Sequence, residues 1–116
     1  MSPRPTDIRL KRAERVLEVV FDNGESFRLP AEYLRVNSPS AEVQGHGPGQ
    51  RVLVAGKAGV GIRDLRPIGQ YAIQIEFDDG HDSGLYSWST LYELGRDHGA
   101  NWQRYLDEID AAGLSR

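Results

Sequence analysis

The chain has 116 residues, with 14 Lys and Arg against 17 Asp and Glu, a net charge of −3 and a pI near 5.6. This length supports one domain with a single core, and the acidic balance argues against nucleic-acid binding through bulk charge. Without cysteine there are no disulfides and no thiolate metal ligands, and no apolar run has the length of a signal-peptide core or a membrane span, so a cytoplasmic protein that is neither membrane-bound nor nucleic-acid-binding is the expectation.

In chain order, residues 1–7 hold two prolines and read as a loose leader. Ile8–Lys11 reads as an edge strand, because its basic residues resist pairing with other chains. Arg15–Phe21 and Ser26–Leu29 flank Asp22-Asn23-Gly24 and predict a β-hairpin. A two-residue Asn23-Gly24 loop would pair Val20 with Phe27. A three-residue Asp22–Gly24 loop pairs Val19 with Phe27 and Leu17 with Leu29. It gathers Leu17, Val19, Phe21, Phe27 and Leu29 on one face and puts Gly24 at the left-handed position, so it is preferred. A short helix follows from Pro30 to Arg35, and Asn37-Ser38-Pro39-Ser40 ends it.

Residues 42–61 carry Gly45, Gly47, Gly49, Gly56, Gly59 and Gly61 and read as a long surface loop, with Val52–Ala55 a brief strand candidate. Ile62–Ile68 then starts a strand. Tyr71, Ile73, Ile75 and Phe77 alternate with polar or small residues, which predicts a second strand with those four on one face. Asp78-Asp79-Gly80 turns the chain and Asp82–Ser87 returns. Two helices close the chain: one capped by Thr90 with Glu93 and stopped by Gly99, the other capped by Asn101. The second presents Trp102, Tyr105, Leu106 and Ile109 as one stripe and ends at Gly113. The sum is an α+β domain over residues 8–113, with 114–116 a tail. It has a mostly antiparallel twisted sheet of about five or six strands, two C-terminal helices and one Gly-rich loop. The stretches VVFDNGESFRLPAEYL and IEFDDGHDSGLYSWSTL share an order of features. Two ββα-like units in one sheet, or chance, would explain that echo.

His81 among Asp78, Asp79 and Asp82 has the residue types of a zinc, iron or manganese site, and equally those of a polar hairpin tip. Its face depends on the turn. A three-residue Asp78–Gly80 loop puts it on the side of Ile73, Ile75 and Phe77, and a two-residue loop puts it on the other. Ala55–Gly61 has the glycines of a phosphate loop but lacks the hydroxyl after Lys57, which leaves at most a weak anion site with Arg51. Trp88, Tyr86, Tyr92, Trp102 and Tyr105 could stack on a ligand, yet their spacing suits a core. Arg51, Arg63 and Arg66 suit anions or a solvated face equally. No catalytic set can be read, and the chain is not expected to be an enzyme.

AEYLRVNSPSAE at Ala31–Glu42, IGQYAIQIEFDDGHDSGLYSW at Ile68–Trp88 and the following LYELGRDHG, together with LEVVFDNG, resemble the gamma-butyrobetaine hydroxylase-like N-terminal domain family, formerly a domain of unknown function. The resemblance covers the chain from Ile8 to Gly113. It implies a module found beside the catalytic barrel of carnitine-biosynthesis 2-oxoglutarate oxygenases, joined to Mrp-type iron–sulfur ATPases, and as short bacterial proteins. It also implies a structural zinc site, held in the oxygenases by three cysteines and one histidine. The histidine position matches His81; the cysteine positions match Ser38, Ser40 and Val43, so this site is degenerate, with His46 the nearest other imidazole. If His81 points toward the Ser38–Ser40 loop, it is a remnant of that site. The resemblance implies an accessory module that pairs with a protein partner or with itself, linked to iron–sulfur or oxygenase metabolism; a zinc- or iron-binding protein centred on His81 is the alternative.

Overall fold

The computed structural model describes residues 3–45 and 51–116. Six strands and four helices form in the order β1 (Pro5–Lys11), β2 (Val16–Phe21), β3 (Ser26–Pro30), α1 (Ala31–Val36), α2 (Ala41–Gln44), β4 (Ile62–Ile68), β5 (Ala72–Phe77), β6 (Leu85–Ser87), α3 (Trp88–Arg96) and α4 (His98–Ala111). The α+β class holds, but the described residues form no single five- or six-stranded sheet. Two antiparallel three-stranded sheets form, β1-β2-β3 and β4-β5-β6.

The sequence echo is a structural repeat, and its unit is βββα rather than ββα. Both hairpin loops have three residues, Asp22–Gly24 and Asp78–Gly80. The Phe21 N–H donates to the Glu25 carbonyl at 2.8 Å and the Phe77 N–H to the His81 carbonyl at 2.9 Å. Gly24 and Gly80 take φ of +88° and +92°, where a side chain would be strained. Asn23 Oδ1 accepts the Glu25 N–H and Asp79 Oδ1 accepts the His81 N–H, both at 3.0 Å. One irregularity matches too, a register slip between Pro5 and Asp7 in one unit and between Ile62 and Asp64 in the other, while the second hairpin alone shifts by one residue between His81 and Leu85. In the first hairpin Val19 pairs with Phe27 and Leu17 with Leu29, the preferred register.

Each unit contributes its apolar face to one core. Leu17, Val19, Phe21 and Leu29 meet Ile62, Ile73, Ile75, Phe77 and Tyr86, with α1 and α3 adding Tyr33, Leu34 and Leu91. Packing toward a common core covers both apolar faces at once, which joining the units edge to edge would not do. Where α3 crosses β3, a Cβ on Gly95 would lie 2.4 Å from the Phe27 ring. That ring is held edge-to-face by Phe21 and Tyr92, each with centroids 5.8 Å away. Gly95→Ala is therefore expected to destabilise by about 2 kcal/mol, overpacking outweighing the better helix propensity; urea unfolding measures it, and a stabilised variant would contradict this packing.

Several sequence expectations shift. Residues 5–7 belong to β1 rather than to a leader, because Pro5 and Asp7 pair with Phe21 and Val20. Tyr71 lies outside β5 and is exposed, its ring folded over Gly69. Val52–Ala55 forms no strand. Instead Leu53, Val54 and Ala55 pack under α4 with Val36, Tyr105 and Ile109, and the Tyr105 hydroxyl donates to the Val54 carbonyl at 2.6 Å. Helix α2 lies inside the expected loop, nucleated by Ser40, whose hydroxyl accepts the Glu42 N–H. Ser87, not Thr90, caps α3. Gly99 and Asn101 lie within α4 and neither stops nor caps a helix. Tertiary contacts hold that turn together: His98 stacks on Tyr33 with centroids 4.3 Å apart, and Asn101 Nδ2 donates to the Tyr33 hydroxyl at 3.1 Å. Gly113 does close α4, at φ +69° with the Leu114 N–H returning to the Ile109 carbonyl.

Candidate functional site

The three-residue turn puts His81 on the inner side of its hairpin, and the imidazole is buried beside Phe77. It points at the loop between α1 and α2. Ser38 lies there because α1 ends at Val36 with Asn37 as its cap, and Pro39 then steers the chain into the cap of α2. Ser38 Oγ sits 2.9 Å from His81 Nε2, and Glu42 Oε2 lies 3.0 Å from Nδ1. A neutral ring protonated on Nδ1 satisfies both: Nδ1–H donates to Glu42 and Nε2 accepts the Ser38 hydroxyl. Ser38 Oγ also accepts the Ser40 N–H, and the Ser40 and Ser83 hydroxyls hydrogen-bond at 2.7 Å. Glycine is required at 84, since a Cβ there would lie 2.5 Å from Ser38 Oγ.

Ser38, His81 and Glu42 thus stand in the hydroxyl–imidazole–carboxylate order of a hydrolase triad. Burial runs the opposite way. Ser38 is 0 % exposed, while the Glu42 side chain is 70 % exposed. A nucleophile must meet its substrate, and the triad acid normally sits behind the histidine, away from water. Here the serine is sealed in and the carboxylate faces outward. The arrangement ties the second hairpin to the α1–α2 loop.

The aspartates near His81 do not converge with its ring nitrogens. Asp79 is taken by Lys57 Nζ at 2.6 Å, Arg35 Nε at 2.9 Å and the His81 N–H at 3.0 Å. Asp78 and Asp82 are exposed. Among the described residues, no three His, Cys, Asp or Glu side chains form a metal-binding group. The positions that the resemblance assigns to zinc ligands come partly together: His81 touches Ser38, Ser40 turns to Ser83, and Val43 is a buried apolar residue. His46 lies outside the described residues. One imidazole and two neutral hydroxyls do not fit a structural zinc site, which draws its affinity from thiolates. Elemental analysis of the purified protein is expected to find no stoichiometric zinc.

Burial alone would raise the Asp79 carboxyl, but the Lys57, His81 and Arg35 hydrogen bonds outweigh it and hold it at about 2, against an ordinary 3.8. A depressed folded-state value means stability that is present above the unfolded value and lost as pH falls through the folded one. Denaturation midpoints are therefore expected to drop between about pH 4 and pH 2, and Asp79→Asn should remove that part of the acid limb. An unchanged limb in the variant would show that the ion cluster contributes nothing.

Of the other candidates, Arg51 faces Glu108, and Arg63 and Arg66 both bind Glu76, so no anion site assembles from them with Lys57. Tyr86 and Tyr105 are buried, while Trp88, Tyr92 and Trp102 pack against the core, as their spacing suggests. Burial pushes the Tyr86 phenol well above the usual range, and its hydroxyl donates to the Leu34 carbonyl. Glu42 and Ser83 were not legible as site residues, although Ser40 followed by Glu42 is a local helix-start signal.

A repeat of βββα units, latched by a buried hydroxyl–imidazole pair, defines a small α+β module. The chain belongs to the gamma-butyrobetaine hydroxylase-like, N-terminal family, whose model matches residues 8–92. Two solution NMR structures are similar over essentially the whole chain. One has 48% identity, a TM-score of 0.87, and coverage of 100% of this chain and 91% of its own. The other has 50% identity, a TM-score of 0.85, and coverage of 99% and 86%. A crystal structure of a protein of unknown function from Acidithiobacillus ferrooxidans, assigned to the DUF971 family, shares 36% identity at a TM-score of 0.67, covering 79% of this chain and 92% of its own. Comparison with functionally curated proteins finds no match. Among the described residues, no helix is long and apolar enough to cross a membrane.

Proposed function

We propose that this chain is a non-catalytic accessory module that acts by pairing with a protein partner or with a second copy of itself. The observation that carries the reading is the inverted burial of the Ser38–His81–Glu42 relay. Ser38 and His81 face the core, where they lock two elements together, and substrate cannot reach the hydroxyl. The family match over residues 8–92 supports the same reading, since the resemblance implies a domain set beside a separate catalytic unit. An association with iron–sulfur or 2-oxoglutarate oxygenase metabolism follows from that resemblance. The test is crosslinked capture from native cells combined with sedimentation of the pure protein. A specific partner or a self-associated species is expected. A monodisperse monomer that captures nothing above background would sink the reading.

A further inference from the structure

Beyond Gly113 the chain crosses back over α1, and Arg116 reaches Glu32. The guanidinium donates twice to that carboxylate, Nη2 to Oε1 at 2.6 Å and Nε to Oε2 at 3.0 Å. Its Cζ lies 5.3 Å from the centroid of the Trp102 ring. Glu32 is only 7 % exposed, and among the described residues Arg116 is the one cation paired with it. A buried carboxylate needs such a partner, because removing the cation leaves an uncompensated charge. The two-pronged contact and the aromatic face together select guanidinium over ammonium, which has no planar fork.

The cation comes from a lightly held segment. Among the described residues its hydrogen bonds, apart from this ion pair, are the Leu114 cap bond and one from the Gly56 N–H to the Ser115 carbonyl at 3.0 Å. The Arg116 side chain remains half exposed. Beside it lies a cavity of about 210 Å³, bounded by Pro30, Glu32, Tyr33, His98, Trp102 and Arg116 itself. The guanidinium thus sits on the wall of this open space, held by the Glu32 carboxylate and the Trp102 ring.

We propose that the Glu32–Trp102 pocket is a docking site for an arginine side chain of a protein partner, and that Arg116 occupies it until the partner arrives. This rests on the reading of the chain as an interaction module and names the chemistry of one contact. A site mostly filled by its own arginine shows weak apparent affinity, reduced by the fraction left open.

The experiment follows the Trp102 indole N–H by NMR during titration with N-acetyl-arginine amide and, separately, its lysine counterpart, with Trp88 as the internal reference. Arg116→Ala is expected to bind the arginine compound about tenfold more tightly than the wild type, with lysine far weaker in both. Adding Glu32→Gln to Arg116→Ala should abolish binding. Trp102→Leu with Arg116→Ala, followed by the backbone amides of Glu32 and Tyr33 in the same titration, keeps the carboxylate and should weaken binding, which covers the case in which the Glu32 variant does not fold. Equal binding by wild type and Arg116→Ala, or no preference for arginine over lysine, overturns the proposal. A partner captured equally well by wild type and Glu32→Gln would overturn this contact and leave the accessory-module reading intact.

Discussion

Replacing His81 with alanine is expected to lower the unfolding free energy by about 3 kcal/mol. Two costs add. The ring is buried beside Phe77, so truncation opens a cavity. The Ser38 hydroxyl, itself fully buried, then loses its acceptor at Nε2. Glu42→Ala is the control. Its carboxylate contacts the same ring but is mostly exposed, so about 0.5 kcal/mol is expected there. Urea unfolding of both variants separates a structural latch from a site kept for chemistry. A His81→Ala protein within about 1 kcal/mol of the wild type would show that the latch does not hold the fold.

The repeat supports the second large prediction. Phe21 and Phe77 occupy equivalent positions before the two hairpin loops, and both are fully buried in the shared core. Phe21→Ala and Phe77→Ala are each expected to cost about 3–5 kcal/mol. Because both side chains face one core, either variant should unfold in a single transition, with circular dichroism and tryptophan fluorescence changing together. Two separated transitions, or one variant costing less than about 1 kcal/mol, would mean that the units are independent.

Periodicity and turn chemistry made much of this molecule legible. The alternation of Leu17, Val19 and Phe21, and of Ile73, Ile75 and Phe77, determined which strand faces are buried, because side-chain direction follows a period of two. Asp22-Asn23-Gly24 together with the alternating return strand determined the first hairpin's register, since only the three-residue loop gathers Leu17, Val19, Phe21, Phe27 and Leu29 on one face. The family was legible in the same stretches. Helix boundaries were not: Ser87 took the cap expected of Thr90, and contacts of His98 and Asn101 with Tyr33 overrode the local signals at Gly99 and Asn101.

What the tertiary structure alone decided is how the two echoing stretches combine and what His81 meets. Sequence order does not say whether two amphipathic units join at an edge or share a core; the need to cover both apolar faces does. Nor could it choose between the two Asp78–Gly80 turns. Once the three-residue turn forms, His81 goes inward, and long-range contacts with Ser38 and Glu42, 43 and 39 residues away, make a surface-like residue into a buried latch. The pairing of Glu32 with Arg116, 84 residues apart, is of the same kind. Both carry charge or polarity into a desolvated place, which chain spacing cannot foresee because the partner is supplied by the fold.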